Sequence, residues 1–120
     1  MSRFSDILME HFQSPENRES MECADLVGKG SLDGHPPFLT IYLQKDSGRI
    51  AAATFEAEGC GVTIACGSMQ TQLISGRDRA ECQNLTANDL SKSLCGIPTG
   101  KAYCAEVAIA ALRDAIQNWP

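Results

Sequence analysis

Ile50-Ala51-Ala52-Ala53-Thr54-Phe55-Glu56-Ala57-Glu58-Gly59-Cys60-Gly61-Val62-Thr63-Ile64-Ala65-Cys66-Gly67-Ser68-Met69 changes its period in the middle. Residues 50–58, with small alanines around Phe55, read as a strand. After Gly59-Cys60-Gly61 the period becomes helical: Val62, Ala65, Cys66, Met69 and Leu73 share a face, and Gly76 suits a helix C-terminus. Upstream, Leu39, Ile41 and Leu43 alternate with Thr40 and Tyr42, the signature of a strand with one buried face. Asp46-Ser47-Gly48 supplies turn residues between the two strands, so an antiparallel hairpin is expected. The hairpin runs into a helix through a thiol flanked by glycines.

Phe4, Ile7, Leu8, His11 and Phe12 recur at helical spacing, predicting an amphipathic helix over residues 3–13 that Pro15 stops. Residues 14–22 are polar and read as loop, and residues 23–29 as a short edge strand. Thr86 suits the N-cap of a short helix through Leu90 and Leu94, ended by Gly96 and Pro98. Lys101 to Asn118 reads as the longest helix, with Cys104, Val107, Ala108, Ala111, Leu112, Ala115 and Trp119 in its apolar stripe. Strands early and helices late predict an α+β fold: a small antiparallel β-sheet of about three strands with helices packed on one face and a long C-terminal helix.

The chain has 120 residues, 43% hydrophobic and 21% charged, which fits one domain over residues 1–120 and excludes a disordered chain. A net charge of −5 without a basic run argues against nucleic acid. No apolar run reaches the length of a membrane span, and Asp6 stands where a leader would be apolar, so a cytoplasmic protein without a membrane role is expected. The six cysteines are then read as free thiols or metal ligands rather than a disulfide framework.

Three short stretches place acids and thiols beside glycine or proline at element ends: Asp33-Gly34-His35, Gly59-Cys60-Gly61 and Lys101-Ala102-Tyr103-Cys104. Cys60 opens one helix and Cys104 another. Unpaired amides and the positive end of the helix dipole favour a thiolate, which is both nucleophile and metal ligand. The competing reading is that each thiol is a small apolar core group, and Cys104 does lie on the apolar stripe. Asp33 and His35 are candidate ligands, against the plain reading of Asp-Gly as a turn and Pro36-Pro37 as an extended lead-in. Cys66 falls on the buried face, Cys23, Cys82 and Cys95 are read as structural, and His11 as a satisfied histidine at the core rim.

Taken together these segments resemble the U-type iron–sulfur cluster assembly scaffolds, the IscU/NifU N-terminal family. The likeness covers nearly the whole chain. It is carried by Phe4 to Asn17, with its His11-Phe12-Gln13-Ser14-Pro15-Glu16-Asn17 ending, and by Glu58-Gly59-Cys60-Gly61 followed by Ile64-Ala65-Cys66-Gly67-Ser68. Tyr103-Cys104-Ala105-Glu106-Val107-Ala108 carries it at the last helix. The resemblance implies a site where three cysteines and an aspartate hold a nascent cluster or zinc. Cys60 matches the second cysteine and Cys104 the third. Asp33 stands where the first cysteine would be, His35 where the aspartate would be, and Tyr103 where a histidine precedes the third cysteine. The chaperone-binding Leu-Pro-Pro-Val-Lys of some members is reduced to Ile97-Pro98-Thr99-Gly100-Lys101.

The resemblance therefore implies a scaffold rather than an enzyme. Cys60 or Cys104 would accept sulfur from a cysteine desulfurase, with Asp33, His35, Cys60 and Cys104 as the metal-ligand set. Iron or a labile iron–sulfur cluster would be built there and passed to recipient apo-proteins. Two thiolates, an imidazole and a carboxylate would also make a tetrahedral zinc site, so a zinc-binding, sulfurtransferase-like acceptor is one alternative. A diverged desulfurase-interacting regulatory protein, with the metal site lost, is a second. A small α+β domain with buried free cysteines is a third.

Overall fold

In the computed structural model, which describes residues 4–119, the sheet forms around the hairpin read above. Strand β1 spans Leu26–Leu32, β2 His35–Asp46 and β3 Arg49–Glu58. They pair antiparallel in the order β1-β2-β3, so β2 is central. Two-residue turns set the register. Asp33 and Gly34 (φ 52° and 82°) join β1 to β2, and Ser47 and Gly48 (φ 55° and 77°) join β2 to β3. Left-handed pairs of this kind match the twist of the strands they connect. Leu39 faces Ala57, Ile41 faces Phe55 and Leu43 faces Ala53, and all but Ala57 are buried.

Prolines in a central strand need an explanation, because each removes a ladder donor. Ser31 pairs with Phe38 and Leu32 with His35, so Pro36 and Pro37 fall in the register shift, where the ladder is already interrupted.

Among the described residues there are five helices, with α2 and α5 packed on the buried face of the sheet: α1 Asp6–Gln13, α2 Gly61–Ile74, α3 Arg79–Gln83, α4 Ala87–Ser93 and α5 Tyr103–Ile116. Ser5 caps α1 by accepting the Leu8 amide at 2.9 Å. The expected start of this helix at residue 3 lies outside the described residues, and the cap sets the start at Asp6. A single 3₁₀ turn, Thr99–Lys101, precedes α5, so the last helix begins at Tyr103 rather than at Lys101 and ends before Asn118. Helix α2 departs from the one-faced reading, since eleven of its fourteen residues are buried. It is enclosed by α1, β3 and α5, which explains why its sequence carries no polar stripe.

Strand β1 runs three residues beyond the expected 23–29 segment and begins three residues later. Gly28 and Gly30 lie in its interior on the buried face. A Cβ at Gly28 would sit 2.0 Å from the Ala111 carbonyl oxygen and 2.4 Å from the Ala115 amide nitrogen. One at Gly30 would sit 2.3 Å from the Val107 carbonyl oxygen. The two glycines are a groove into which the backbone of α5 fits, and this close approach sets the height of α5 over the sheet.

Helix α3 is absent from the sequence reading. It is a single short helix held by a capping box: Asp78 accepts the Glu81 amide at 2.8 Å and Glu81 accepts the Asp78 amide at 3.2 Å.

Candidate functional site

Cys60 is the N-cap of α2, in extended backbone geometry with no side-chain cap of its own. The Thr63 and Ile64 amides close on its carbonyl. Gly59 and Gly61 are small for definite reasons. A Cβ at Gly59 would lie 2.7 Å from Pro37 Cβ and 2.9 Å from Thr63 Oγ1, and one at Gly61 would lie 2.7 Å from the Phe12 ring. The end of β3, the Pro37 side of the central strand and the α1 ring of Phe12 therefore converge around the start of α2.

Cys104 lies in the first turn of α5 and is fully buried. Its sulfur is 3.8 Å from the sulfur of Cys60. Thr63 completes the group. Its buried hydroxyl donates to Cys104 Sγ at 3.3 Å and lies 3.8 Å from Cys60 Sγ. Thr63 was not singled out from sequence, yet it occupies the third residue after Cys60. Residues three apart on a helix face one another, so the spacing was a usable signal.

The two thiols sit in unlike surroundings. Cys60 is partly exposed. Burial alone would push its thiol up. The backbone amides of Thr63 and Val62, the Thr63 hydroxyl and the Cys104 thiol more than offset that and hold it below the ordinary value. Cys104 is pushed up, because its burial outweighs the Thr63 hydroxyl and the nearby Lys101. The expectation that a helix start favours the thiolate thus holds for Cys60 and is overridden by burial at Cys104. Cys66 is pushed far up by burial, then by the charges Cys104 and Cys60 would carry. It is a core thiol, as expected.

Asp33 and His35 flank Gly34 in the β1–β2 turn, and both are exposed. The packing of Gly59 on Pro37 brings the strand that follows this turn to the edge where Cys60 lies. The ligand set expected from Asp33, His35, Cys60 and Cys104 is nevertheless not assembled in this conformation. Among the described residues no group of three or more His, Cys, Asp and Glu side chains could hold a metal ion. Asp33 lies in the left-handed turn, where the Gly34 amide donates to Ser31 Oγ at 2.9 Å, and both the Asp33 and His35 side chains are exposed. What the fold brings together is the thiol pair with Thr63.

His11 is the satisfied histidine the sequence suggested. Its Nδ1 lies 2.7 Å from Ser68 Oγ, which also accepts the Glu16 amide at 2.8 Å. Since that serine oxygen accepts from Glu16, its proton is free to point at the imidazole. Asn17, at φ 61°, accepts the Phe55 amide at 2.9 Å and donates to Thr71 Oγ1 at 3.1 Å. The His11-to-Asn17 segment thus clamps α1 onto α2 and β3, behind Phe12 and the start of α2. Cys82 is buried as a structural thiol would be, whereas Cys23 and Cys95 are exposed. Cys95 occupies a left-handed position after α4 (φ 57°), which turns it outward.

Comparison with known proteins gives one consistent answer. The sequence profile described as "NifU-like N terminal domain" matches residues 3–120. A curated relative from Archaeoglobus fulgidus, the iron-sulfur cluster assembly scaffold protein IscU 1, is 34% identical over 116 residues, covering 97% of this chain and 76% of its own. The iron-sulfur cluster assembly scaffold protein IscU of Aquifex aeolicus is 29% identical over 118 residues, covering 97% of this chain and 75% of its own. Among solved structures, the N-terminal part of a nitrogen-fixing NifU-like protein from Brucella abortus superimposes with a TM-score of 0.75. It is 14% identical and covers 94% of this chain and 91% of that one, which supports the α+β fold.

Proposed function

The chain belongs to the NifU-like N-terminal domain family, and from that premise we propose that it is a scaffold for iron–sulfur cluster assembly, with Cys60 as the thiol that receives sulfur. Residues 1–120 act as one such domain. The observation that carries the reading is the Cys60–Cys104 pair, two sulfurs 3.8 Å apart, one partly open to solvent and one buried.

A cysteine desulfurase presents its product as a persulfide, and sulfur leaves a persulfide by attack of a thiolate on its outer sulfur. Cys60 meets the requirements for that attack. It is reachable, and the Thr63 and Val62 amides favour its ionised form. The Cys60 sulfur bonds to the outer sulfur, the bond within the donor's persulfide breaks, and the donor leaves as a thiolate. Iron and the growing cluster are the cargo of this site. Two thiolates suit iron and sulfide chemistry, and leave the rest of the metal's coordination to other donors. We assign Asp33 and His35 that role, as the oxygen and nitrogen donors at the turn that leads into Pro37. A cargo held by two protein sulfurs is weakly held, which suits a protein that builds and releases to recipient apo-proteins. The same four donors would also suit zinc, which remains the alternative cargo of this site. No helix among the described residues is long and apolar enough to cross a membrane, and we place the work in the cytoplasm.

The test is anaerobic reconstitution with a cysteine desulfurase, cysteine, ferrous iron and a dithiol reductant. The wild type develops a cluster chromophore, and Cys60→Ser does not. A chromophore of equal yield in Cys60→Ser overturns the assignment, as does its absence in the wild type.

A further inference from the structure

The sulfur that a persulfide delivers is not yet sulfide: it needs two electrons before it can bridge iron. The geometry around Cys60 contains a source for them. Cys104 is fully buried, and no role in receiving sulfur from outside explains it. Its sulfur lies 3.8 Å from that of Cys60, about van der Waals contact, and a disulfide requires the pair to close to ~2.05 Å. The Thr63 hydroxyl, at 3.3 Å, is directed at the same buried sulfur.

We propose that Cys104 is a resolving thiol, which attacks the sulfur of a persulfidated Cys60, closes an intrachain Cys60–Cys104 disulfide and expels the transferred sulfur as sulfide. The inference rests on the reading of Cys60 as the receiving thiol. The bond that forms joins the two cysteine sulfurs, and the bond that breaks joins Cys60 to the transferred sulfur. The Cys104 thiol gives up its proton, the departing sulfur takes one up, and the products are a disulfide and hydrogen sulfide. The dithiol is oxidised by two electrons and the transferred sulfur is reduced by two, so a single turnover needs no other reductant. Later turnovers require an external dithiol to reopen the disulfide.

The direction of attack follows from the placement of the pair. Sulfur arrives at Cys60 from solvent, while Cys104 stands on the buried side. The leaving sulfur and the attacking sulfur are then on opposite sides of Cys60, as an in-line displacement requires. Attack on the outer sulfur would instead move the persulfide into the interior and release nothing. The thiol in contact with Cys60 is that of Cys104.

The experiment uses the full chain carrying Cys23→Ser and Cys95→Ser, which removes the two exposed thiols outside the site. The reduced protein is treated anaerobically with less than one equivalent of glutathione persulfide and no other thiol. Sulfide is trapped, and peptides are mapped by mass spectrometry. The expected result is release of one sulfide for every two protein thiols lost, with the Cys60 and Cys104 peptides joined. With Cys104→Ser or Cys104→Ala added, Cys60 retains one extra sulfur, and its persulfide lives at least about tenfold longer, since the intramolecular partner is gone. A wild-type site that keeps the added sulfur as long as the variants do overturns the resolving step alone. So does sulfide release with Cys60 joined to Cys66. Failure of the otherwise unaltered site and both variants to take up sulfur at Cys60 overturns the receiving role as well. The reading with Cys104 intact decides the matter if the variants do not fold.

Discussion

Gly28→Ala tests how α5 is seated, and through it how Cys104 is presented. The added Cβ would lie 2.0 Å from the Ala111 carbonyl oxygen, 2.4 Å from the Ala115 amide nitrogen and 2.7 Å from the Ala115 side chain. Backbone atoms cannot rotate aside as a flexible side chain can. Restoring ordinary contact distances requires α5 to lift from β1 by more than ~1 Å. Buried overpacking commonly costs 1–3 kcal/mol, and a clash with helix backbone belongs at the top of that range, about 3 kcal/mol. With unfolding entropy near 2.1 cal/mol/K per residue, that loss lowers the midpoint of a chain this size by about 12 °C. Gly34→Ala is the control. Its Cβ meets nothing within 4 Å, and only the left-handed backbone (φ +82°) opposes it, a cost of about 1–2 kcal/mol. Thermal unfolding followed by circular dichroism reads both. A Gly28→Ala protein that melts within a few degrees of wild type, or above Gly34→Ala, would refute the claim that β1 glycines seat the last helix.

Thr63→Val removes the hydroxyl shared by the two thiols while keeping the side chain's shape. The hydroxyl favours ionised Cys60, so the midpoint of Cys60 alkylation by iodoacetamide against pH moves up, and an unmoved or lower midpoint contradicts the geometry. Cys66 is held neutral by burial in the folded protein. Below the ordinary thiol value both states are protonated and pH has no leverage. Above it only the unfolded chain ionises, so stability falls as pH rises, by up to about 1.4 kcal/mol per pH unit for each such group. Cys66→Ala should flatten that alkaline loss in denaturant titrations, and an unchanged slope would show that the thiol is not the cause. Asp78→Ala removes one half of the α3 capping box and should cost about 1 kcal/mol in urea unfolding. No measurable loss would mean that α3 is held by its packing alone.

The hairpin was legible because its two signals agree: alternation at Leu39, Ile41 and Leu43, and turn residues at Asp46-Ser47-Gly48. Strand β1 was harder. Gly28 and Gly30 look like breakers in sequence, whereas in the fold they are the space into which a helix backbone presses. That requirement is tertiary and has no local signature. Helix α3 is too short to show a period, although its Asp78-x-x-Glu81 capping box was visible to a reader looking for caps. At the site, the positions of Cys60 and Cys104 at helix starts were readable. Their contact across forty-three intervening residues was implied only by the family resemblance. Asp33 and His35 were legible only as residue types, because no spacing signal tied them to the thiols. Their residue types suggested ligands, while Asp-Gly chemistry favoured the tight turn that the chain adopts.

The most direct test of the account is to follow the sulfur itself. With a cysteine desulfurase and cysteine radiolabelled at sulfur, the label should appear on the peptide containing Cys60, and should vanish from the chain when Cys60→Ser is used. Undiminished labelling of the Cys60→Ser chain would contradict the assignment.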